Sequence, residues 1–235
     1  MFNWFKKQTT PANTITKCPY CQAELDKIPV RKVQCKSCKK PIFVRTHYLT
    51  KEKLILTEKA ATDFDLEREQ YYTDKSLLDG LKKNLDIDSK FLDKLTAKTT
   101  ETLFKKFGHP PSLGDVAWSV ANQMTLEAMK NKQLHLASSI QFQMALYLHY
   151  SSKNCNPILE NSLELTLKEA QLNGYKQVSI LTGQQSCDYC QLQKDKLFSI
   201  EEALSKKLLP CQDCTFKLNP KAPTGWCRCL YMPKL

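Results

Sequence analysis

The residues best suited to chemistry in this chain are its cysteines, and their grouping indicates metal binding. Eleven cysteines occur among 235 residues, and ten of them fall in two clusters, one near each end. In a reducing compartment, paired Cys-x-x-Cys units are better explained as thiolate ligands than as a disulfide framework. The sequence therefore predicts a metal site near each end. The eleventh cysteine, Cys155, is expected to be a small buried residue of a helical region.

The N-terminal cluster consists of two Cys-x-x-Cys units separated by thirteen residues. Zinc favours four soft ligands in a tetrahedron, and each unit can supply two thiolates from one tight turn. The pattern resembles a short zinc ribbon, with strands expected at 30–34 and 41–46 on either side of the second unit. Because so few residues cannot bury a sizeable core, the metal is expected to supply most of the stability. The predicted zinc ligands are Cys18, Cys21, Cys35 and Cys38.

Positive charge is concentrated around this cluster. Residues 1–59 hold 13 Lys and Arg against 4 Asp and Glu, which accounts for +9 of the formal net charge of +11. Basic side chains with Tyr20, Phe43 and Tyr48 among them suit a nucleic-acid backbone or exposed bases. A solvated basic face on a ribbon that only folds the chain or docks a protein is the alternative. The predicted nucleic-acid contacts are Arg31, Lys32, Lys36, Lys39, Lys40 and Arg45.

The middle of the chain, from Thr57 to Gly174, is predicted to be almost wholly helical. Thr57 and Ser112 are expected N-caps and Gly108 a stop, and apolar residues recur at helical spacing between them. Short connections favour a helical bundle or a stack of αα-hairpins. The sequence carries no metalloprotease His pair, nucleophile elbow, phosphate-binding Gly loop or dinucleotide fingerprint. No catalytic residue and no small-molecule substrate are therefore predicted.

The C-terminal cluster holds six cysteines behind a β-prone segment at 175–182. Six thiols exceed the four ligands of one tetrahedral zinc and are too few for two sites that share none, so one zinc with spare cysteines is the simpler expectation. The Cys-x-x-Cys unit supplies two ligands and Cys211 or Cys214 a third. We expect Cys227 and Cys229 to point to opposite faces of an extended segment, so that one ligates and the other packs. The predicted set is Cys187, Cys190, Cys214 and Cys227, although the choice among the six stays open.

Residues 180–229 resemble the C-terminal motif of the Mu F-like phage minor head (head-morphogenesis) proteins. In that family a strand leads into a Cys-x-x-Cys turn, a Gly-Lys-Val-Phe-like stretch and a His-bearing Pro-rich loop closed by Cys-Arg-Cys. The matching residues here are Cys187-x-x-Cys190, Lys196-Leu197-Phe198-Ser199 and Cys227-Arg228-Cys229. Asp195 replaces the Gly before Lys196, and Cys214 stands in for the His. The resemblance implies a related zinc-type module, but the N-terminal ribbon is not a feature of that family.

Together these patterns predict a mainly α fold with small zinc-stabilised β modules. The expected domains are a zinc ribbon at 1–50, a helical bundle or αα-hairpin stack at 51–174 and a cysteine-rich α+β module at 175–235. No apolar run approaches the roughly 18–20 residues of a membrane span, and residues 1–7 lack the apolar centre of a secretory signal, so a cytoplasmic protein is expected.

The expected function is non-enzymatic and zinc-dependent. The protein is expected to bind nucleic acid or a protein surface, which could be an acidic one. Two alternatives remain open at this stage. One is a phage head-morphogenesis protein or a domesticated relative that docks on a portal or capsid partner. The other is a metal-dependent nuclease or toxin that uses the C-terminal metal.

Overall fold

The computed structural model describes residues 16–183 and 186–234, which divide into two compact units, one ending at Glu69 and the other beginning at Gln70. Residues 1–7, which are predicted not to form a secretory signal, lie outside the described part of the chain. The predicted fold class is confirmed, because stacked helices make up the main core and a small cysteine-bearing sheet lies toward each end. Within the described residues, no helix is long and apolar enough to cross a membrane.

The first unit contains a three-stranded antiparallel sheet. Its strands are β1 (Val33–Gln34), β2 (Pro41–Thr46) and β3 (Lys53–Leu56), in the order β1-β2-β3. Ile42 is the only fully buried aliphatic residue of the sheet, and it pairs with Val33 beside the turn that carries Cys35 and Cys38. The strand β3 was not anticipated from the sequence, although its Leu-Ile-Leu run has the β-branched and apolar character of a strand.

Helix α1 (Glu58–Asn84) starts at the predicted cap and crosses from the first unit into the second. The N–H of Ala60 donates to the Thr57 hydroxyl over 3.2 Å. On its first turns, Asp65 accepts from Arg45 of β2, with the guanidinium Nη2 2.6 Å and Nε 2.9 Å from the carboxylate. The pKa of Asp65 is lowered chiefly by this hydrogen-bonded guanidinium. The pair therefore fastens the sheet to the helix through a charge-assisted, bidentate contact.

Four further helices build the core of the second unit. They are α2 (Ser89–Phe107), α3 (Leu113–Lys130), α4 (Leu134–Tyr150) and α5 (Asn156–Leu172). The predicted Ser112 cap is confirmed, since its hydroxyl accepts from the N–H of Asp115, and Gly108 ends α2 in the left-handed conformation at φ 74°. Three-residue and five-residue connections make α3, α4 and α5 sequential neighbours, which pack in that order.

The C-terminal part of the second unit is a second antiparallel sheet with two short helices. Its elements are β4 (Gln177–Leu181), α6 (Asp188–Leu192), β5 (Leu197–Ser199), α7 (Ile200–Lys206) and β6 (Leu230–Lys234), with strand order β5-β4-β6. Leu181, the last residue of β4, pairs with Leu230, the first of β6. Because the strands are antiparallel, the chain leaving β4 and the chain entering β6 lie at the same edge of the sheet. Cysteines that follow β4 and precede β6 are thereby brought together.

Candidate metal centres

Two turns with nearly the same backbone geometry carry the four N-terminal cysteines. In the first turn the N–H of Gln22 donates to the carbonyl of Cys18 over 3.0 Å, and in the second the N–H of Lys39 donates to the carbonyl of Cys35 over 2.9 Å. Gln22 and Lys39 each follow the second cysteine of their unit and have left-handed backbones, with φ of 62° and 61°. This repeated turn directs both Cys-x-x-Cys units toward one centre.

The four sulfur atoms have the spacing of a tetrahedral zinc site. All four Sγ atoms lie within 4.8 Å of one another. Cys18 Sγ is 3.8 Å from Cys38 Sγ, and Cys21 Sγ is 3.7 Å from Cys35 Sγ. Sulfurs held about 2.3 Å from a central zinc would be about 3.8 Å apart. The structure thus brings all four predicted ligands together, with each close pair joining one turn to the other.

The electrostatics of this tetrad favour a bound cation. The backbone N–H of Cys38, helped by that of Ser37, lowers the pKa of Cys35 to about 6. At Cys21 the Ala23 N–H lowers the pKa, but desolvation and the neighbouring thiols outweigh it and raise the value to about 11. The thiolate form is therefore favoured at Cys35 and disfavoured at Cys21. A divalent cation at the centre would remove that repulsion and allow all four thiols to ionise.

The six predicted nucleic-acid contacts lie on this first unit in different electrostatic settings. Lys36 forms an ion pair with Asp26, and Arg45 is held by Asp65. Arg31 and Lys39 are exposed. The Lys32 and Lys40 ammonium groups lie over aromatic rings of the same unit, 4.5 Å from the centroid of Phe43 and 5.2 Å from that of Tyr20 respectively.

The aromatic side chains of the first unit are also engaged within it. The Tyr20 hydroxyl accepts from the N–H of Glu58 over 2.9 Å, and the Tyr48 hydroxyl donates to Glu67 over 2.6 Å. With lysines over the rings of Tyr20 and Phe43, base stacking on those faces would require the lysines to move aside. The exposed basic residues beside the cysteine turns are consequently the better candidates for phosphate contacts.

The second cluster comprises two overlapping groups of cysteines. Their sulfurs lie within 4.8 Å of one another in each of two sets, Cys187–Cys190–Cys211 and Cys190–Cys227–Cys229. The Sγ atoms of Cys190 and Cys227 are 3.9 Å apart, again close to the edge of a zinc–thiolate tetrahedron. All eleven cysteines are within the described residues and are free thiols. Cys190 is common to both sets and is fully buried.

The expectation that Cys227 and Cys229 point to opposite faces is wrong. Both sulfurs belong to the same set with Cys190. The physical reason is the period of extended backbone, in which successive side chains alternate and residues two apart share a face. Arg228 therefore points away between them, and its guanidinium stacks 3.8 Å from the Phe216 ring centroid.

Cys214, a predicted ligand, lies outside both sets but beside them. Cys214 is buried, and interaction with the Cys227 thiol together with this burial raises its pKa. Cys211, which the predicted set omitted, belongs to the first group. The signal for it was present in the sequence, because Cys211-x-x-Cys214 is itself a Cys-x-x-Cys unit.

Two buried thiols of this cluster, those of Cys211 and Cys227, have raised pKa values. Burial is the largest cause that raises the pKa of Cys211 to about 12. The neighbouring Cys190 thiol is the largest cause that raises the pKa of Cys227 to about 12. Burial and crowding of like groups penalise the thiolate form unless a positive charge compensates it. A thiolate-binding metal is the group that meets this need.

A buried histidine positions the loop between Cys211 and Cys227. His149 Nε2 accepts from the backbone N–H groups of Leu218 and Asn219, each over 3.2 Å, and the Asn219 side chain donates to the carbonyl of Tyr150 over 3.0 Å. Burial lowers the pKa of His149, so the imidazole stays a neutral acceptor. The Trp226 ring lies 5.4 Å from that imidazole. These contacts tie the segment between Cys211 and Cys227 to the end of α4, a role that sequence spacing did not indicate.

Comparison of the chain with protein-family models, curated proteins and solved structures gives no significant match. The likeness of residues 180–229 to the Mu F-like motif therefore gains no support from these comparisons. What the molecule itself supplies is a cysteine tetrad in a small sheet and a second group of cysteines at the edge of another.

Proposed function

We propose that this chain is a non-enzymatic zinc protein in which thiolate-bound zinc holds the two terminal modules in the shapes that contact a partner. The observation that carries the proposal is the tetrahedral spacing of the N-terminal sulfurs, with cross-turn distances of 3.7 and 3.8 Å. Four thiolates in a tetrahedron suit zinc or an iron–sulfur centre. Zinc is favoured because these sulfur–sulfur distances match those around one central ion that is bonded to all four sulfurs.

A binding role is favoured over catalysis by the number of ligands. Catalytic zinc keeps one position open for water or substrate, whereas structural zinc is closed by four protein ligands. The tetrad offers four sulfurs to one ion, and the second cluster offers more thiols than one ion can bind. Both sets of thiol ligands leave no coordination position for a substrate and therefore suit a structural metal.

Metal analysis tests this proposal directly. The full chain, purified without chelator, is expected to contain zinc at both ends. Cys18→Ser combined with Cys21→Ser should remove only the N-terminal zinc, and Cys187→Ser combined with Cys190→Ser only the C-terminal zinc. Cys155→Ala, which alters the one cysteine outside both clusters, should leave the zinc content unchanged. A wild-type chain that is folded and free of zinc would contradict the proposal.

Nucleic acid is the partner that the charges of the first unit support. Arg31 and Lys39 are exposed and lie on either side of the Cys35-x-x-Cys38 unit in the sequence, and Lys39 has the left-handed backbone that follows this unit. Zinc binding to the tetrad would fix the backbone of the turn that Lys39 follows. A backbone phosphate is the anion that such point charges recognise without reading base sequence.

Binding to single-stranded RNA and DNA of mixed sequence tests this partner. The double variant Arg31→Gln, Lys39→Gln is expected to bind more weakly and to lower the slope of log affinity against log salt by about 1.4, because each phosphate contact on a single strand contributes about 0.7. Glutamine removes the charge but keeps an unbranched polar side chain, and Gln22 occupies the equivalent left-handed position after the first cysteine turn. The control is the double variant Lys53→Gln, Lys59→Gln, which removes the same charge from exposed residues at the start of β3 and the start of α1 and should bind like the wild type. Equal effects of the two double variants, or no binding by the wild type, would exclude this surface.

A further inference from the structure

We propose that the six C-terminal cysteines bind two zinc ions as one binuclear cluster, in which Cys190 and Cys214 are shared between the ions. This inference rests on the proposed zinc-binding function and replaces the simpler expectation of one zinc with spare cysteines. It specifies the nuclearity of the site and the role of each thiol.

The overlap of the two cysteine sets is the first observation. Each set has the three sulfurs needed for one face of a tetrahedron, and Cys190 belongs to both. The sulfur of Cys190 is fully buried between the two sets and lies 3.9 Å from that of Cys227. A thiolate has more than one lone pair, so a sulfur in this position can bond to two metal ions at once.

The position of Cys214 is the second observation. The N–H of Cys214 donates to the carbonyl of Cys211, a member of the first set, over 3.3 Å. The Cβ of Cys214 lies 3.1 Å from the position of an added Cβ at Gly225, two residues before Cys227 of the second set. A sulfur beside both sets can supply the missing fourth ligand of each. The first ion would then be bound by Cys187, Cys190, Cys211 and Cys214, and the second by Cys190, Cys214, Cys227 and Cys229.

Ligand number agrees with this assignment. Two four-coordinate zinc ions need eight bonds to sulfur, and six thiolates supply eight when two of them bridge. Every cysteine of the cluster is then used. A single zinc would leave two sulfur atoms of a crowded group without a metal, although five of the six cysteines are buried and the sixth is half-buried.

The net charge of the site also favours two zinc ions. Two divalent ions with six thiolates carry a net charge of −2, the same as one zinc with four thiolates. The second ion therefore adds no net charge to a buried site, where uncompensated charge is costly. At the rim, the Ser186 hydroxyl lies 3.3 Å from Cys229 Sγ and donates to the carbonyl of Gly183 over 2.9 Å, a contact that orients one of the terminal sulfurs.

Zinc stoichiometry separates this inference from the function on which it rests. The full chain is expected to bind three zinc ions, and Cys18→Ser combined with Cys21→Ser should leave two. One C-terminal zinc in that variant would overturn the binuclear cluster and leave the proposed function standing. Absence of zinc from the folded wild-type chain would overturn both. Cys155→Ala should still bind three, as the matched cysteine control.

Replacing zinc with ¹¹³Cd in the wild-type chain tests the shared sulfurs without any substitution that could unfold the site. We expect three cadmium resonances, two of which show scalar coupling to each other through a bridging sulfur, while the third, from the N-terminal tetrad, is a singlet. Three uncoupled resonances would mean separate sites and would overturn the inference. In Cys214→Ser the Cys190 bridge remains, so the coupling is expected to persist, but both coupled resonances should shift because both ions lose a sulfur ligand. A Cys214→Ser spectrum identical to that of the wild type would remove Cys214 from the cluster.

Discussion

Replacing Cys18 with serine is expected to unfold the N-terminal module, residues 16–57, while the helices of the second unit remain folded. The module has little else to hold it, since its buried apolar set consists of Cys18, Cys35 and Ile42 with five partly buried neighbours. One buried isoleucine contributes about 1.5–3 kcal/mol. Structural zinc in small modules contributes about 10–16 kcal/mol. The metal is therefore the larger contribution by several-fold, and it depends on all four thiolates.

Limited proteolysis and ¹H–¹⁵N NMR of the full chain provide the measurement. The Cys18→Ser variant should be cleaved within residues 16–57 at low protease concentration and should lose the dispersed amide signals of β1–β3. Treating the wild type with a strong zinc chelator should produce the same change in this segment. Both results follow from loss of the same ion.

Ser37→Ala is the matched control for that variant. Ser37 lies between Cys35 and Cys38 in the same turn and is exposed, and its backbone N–H toward Cys35 is kept by alanine. This variant should retain zinc and resist protease like the wild type. A Cys18→Ser chain that keeps the wild-type cleavage pattern would show that hydrocarbon packing, rather than metal, supports the module.

Gly225→Ala is expected to destabilise the second unit by about 3 kcal/mol or more and to lower its zinc content, because overpacking of a closely fitted site costs about 1–3 kcal/mol even when neighbours can shift. An added Cβ at Gly225 would lie 1.6 Å from the backbone oxygen of Cys214 and 2.5 Å from its carbonyl carbon. The neighbouring Trp226 N–H donates to the carbonyl of Phe216 over 2.6 Å, so the two segments cannot separate without losing that bond. The displacement would move Cys214 away from Cys187 and Cys227.

Gly183→Ala is the matched control, because it adds the same methyl group near the same cluster. Its Cβ would meet Arg228 and Ser186 at 3.8 Å, which is ordinary contact. Urea unfolding and zinc analysis of the two variants give the comparison. We expect the Gly183→Ala chain to match the wild type within about 0.5 kcal/mol, as is usual for substitutions without a clash. Equal stability of the two variants would contradict the assigned role of Gly225.

Local features of this protein could be predicted from its sequence because they depend on residues close together in the chain. The Cys-x-x-Cys units, the Thr57 and Ser112 caps and the stop at Gly108 each rest on a few adjacent residues. The N-terminal tetrad belongs to this class as well, since only thirteen residues separate its two Cys-x-x-Cys units. The mainly helical fold class with cysteine-bearing sheets followed from the same local patterns.

The sequence by itself determined which side chains could bind metal, but only the tertiary structure decided how the C-terminal ones are grouped. The antiparallel pairing of Leu181 with Leu230 brings the segments that carry Cys187 and Cys229 to one sheet edge. The contacts of His149 place the loop that follows Cys211. These residues are far apart in the chain, and their proximity depends on strand order, register and helix packing rather than on spacing. That is why the overlap of the two cysteine sets at Cys190 becomes visible only in the folded molecule.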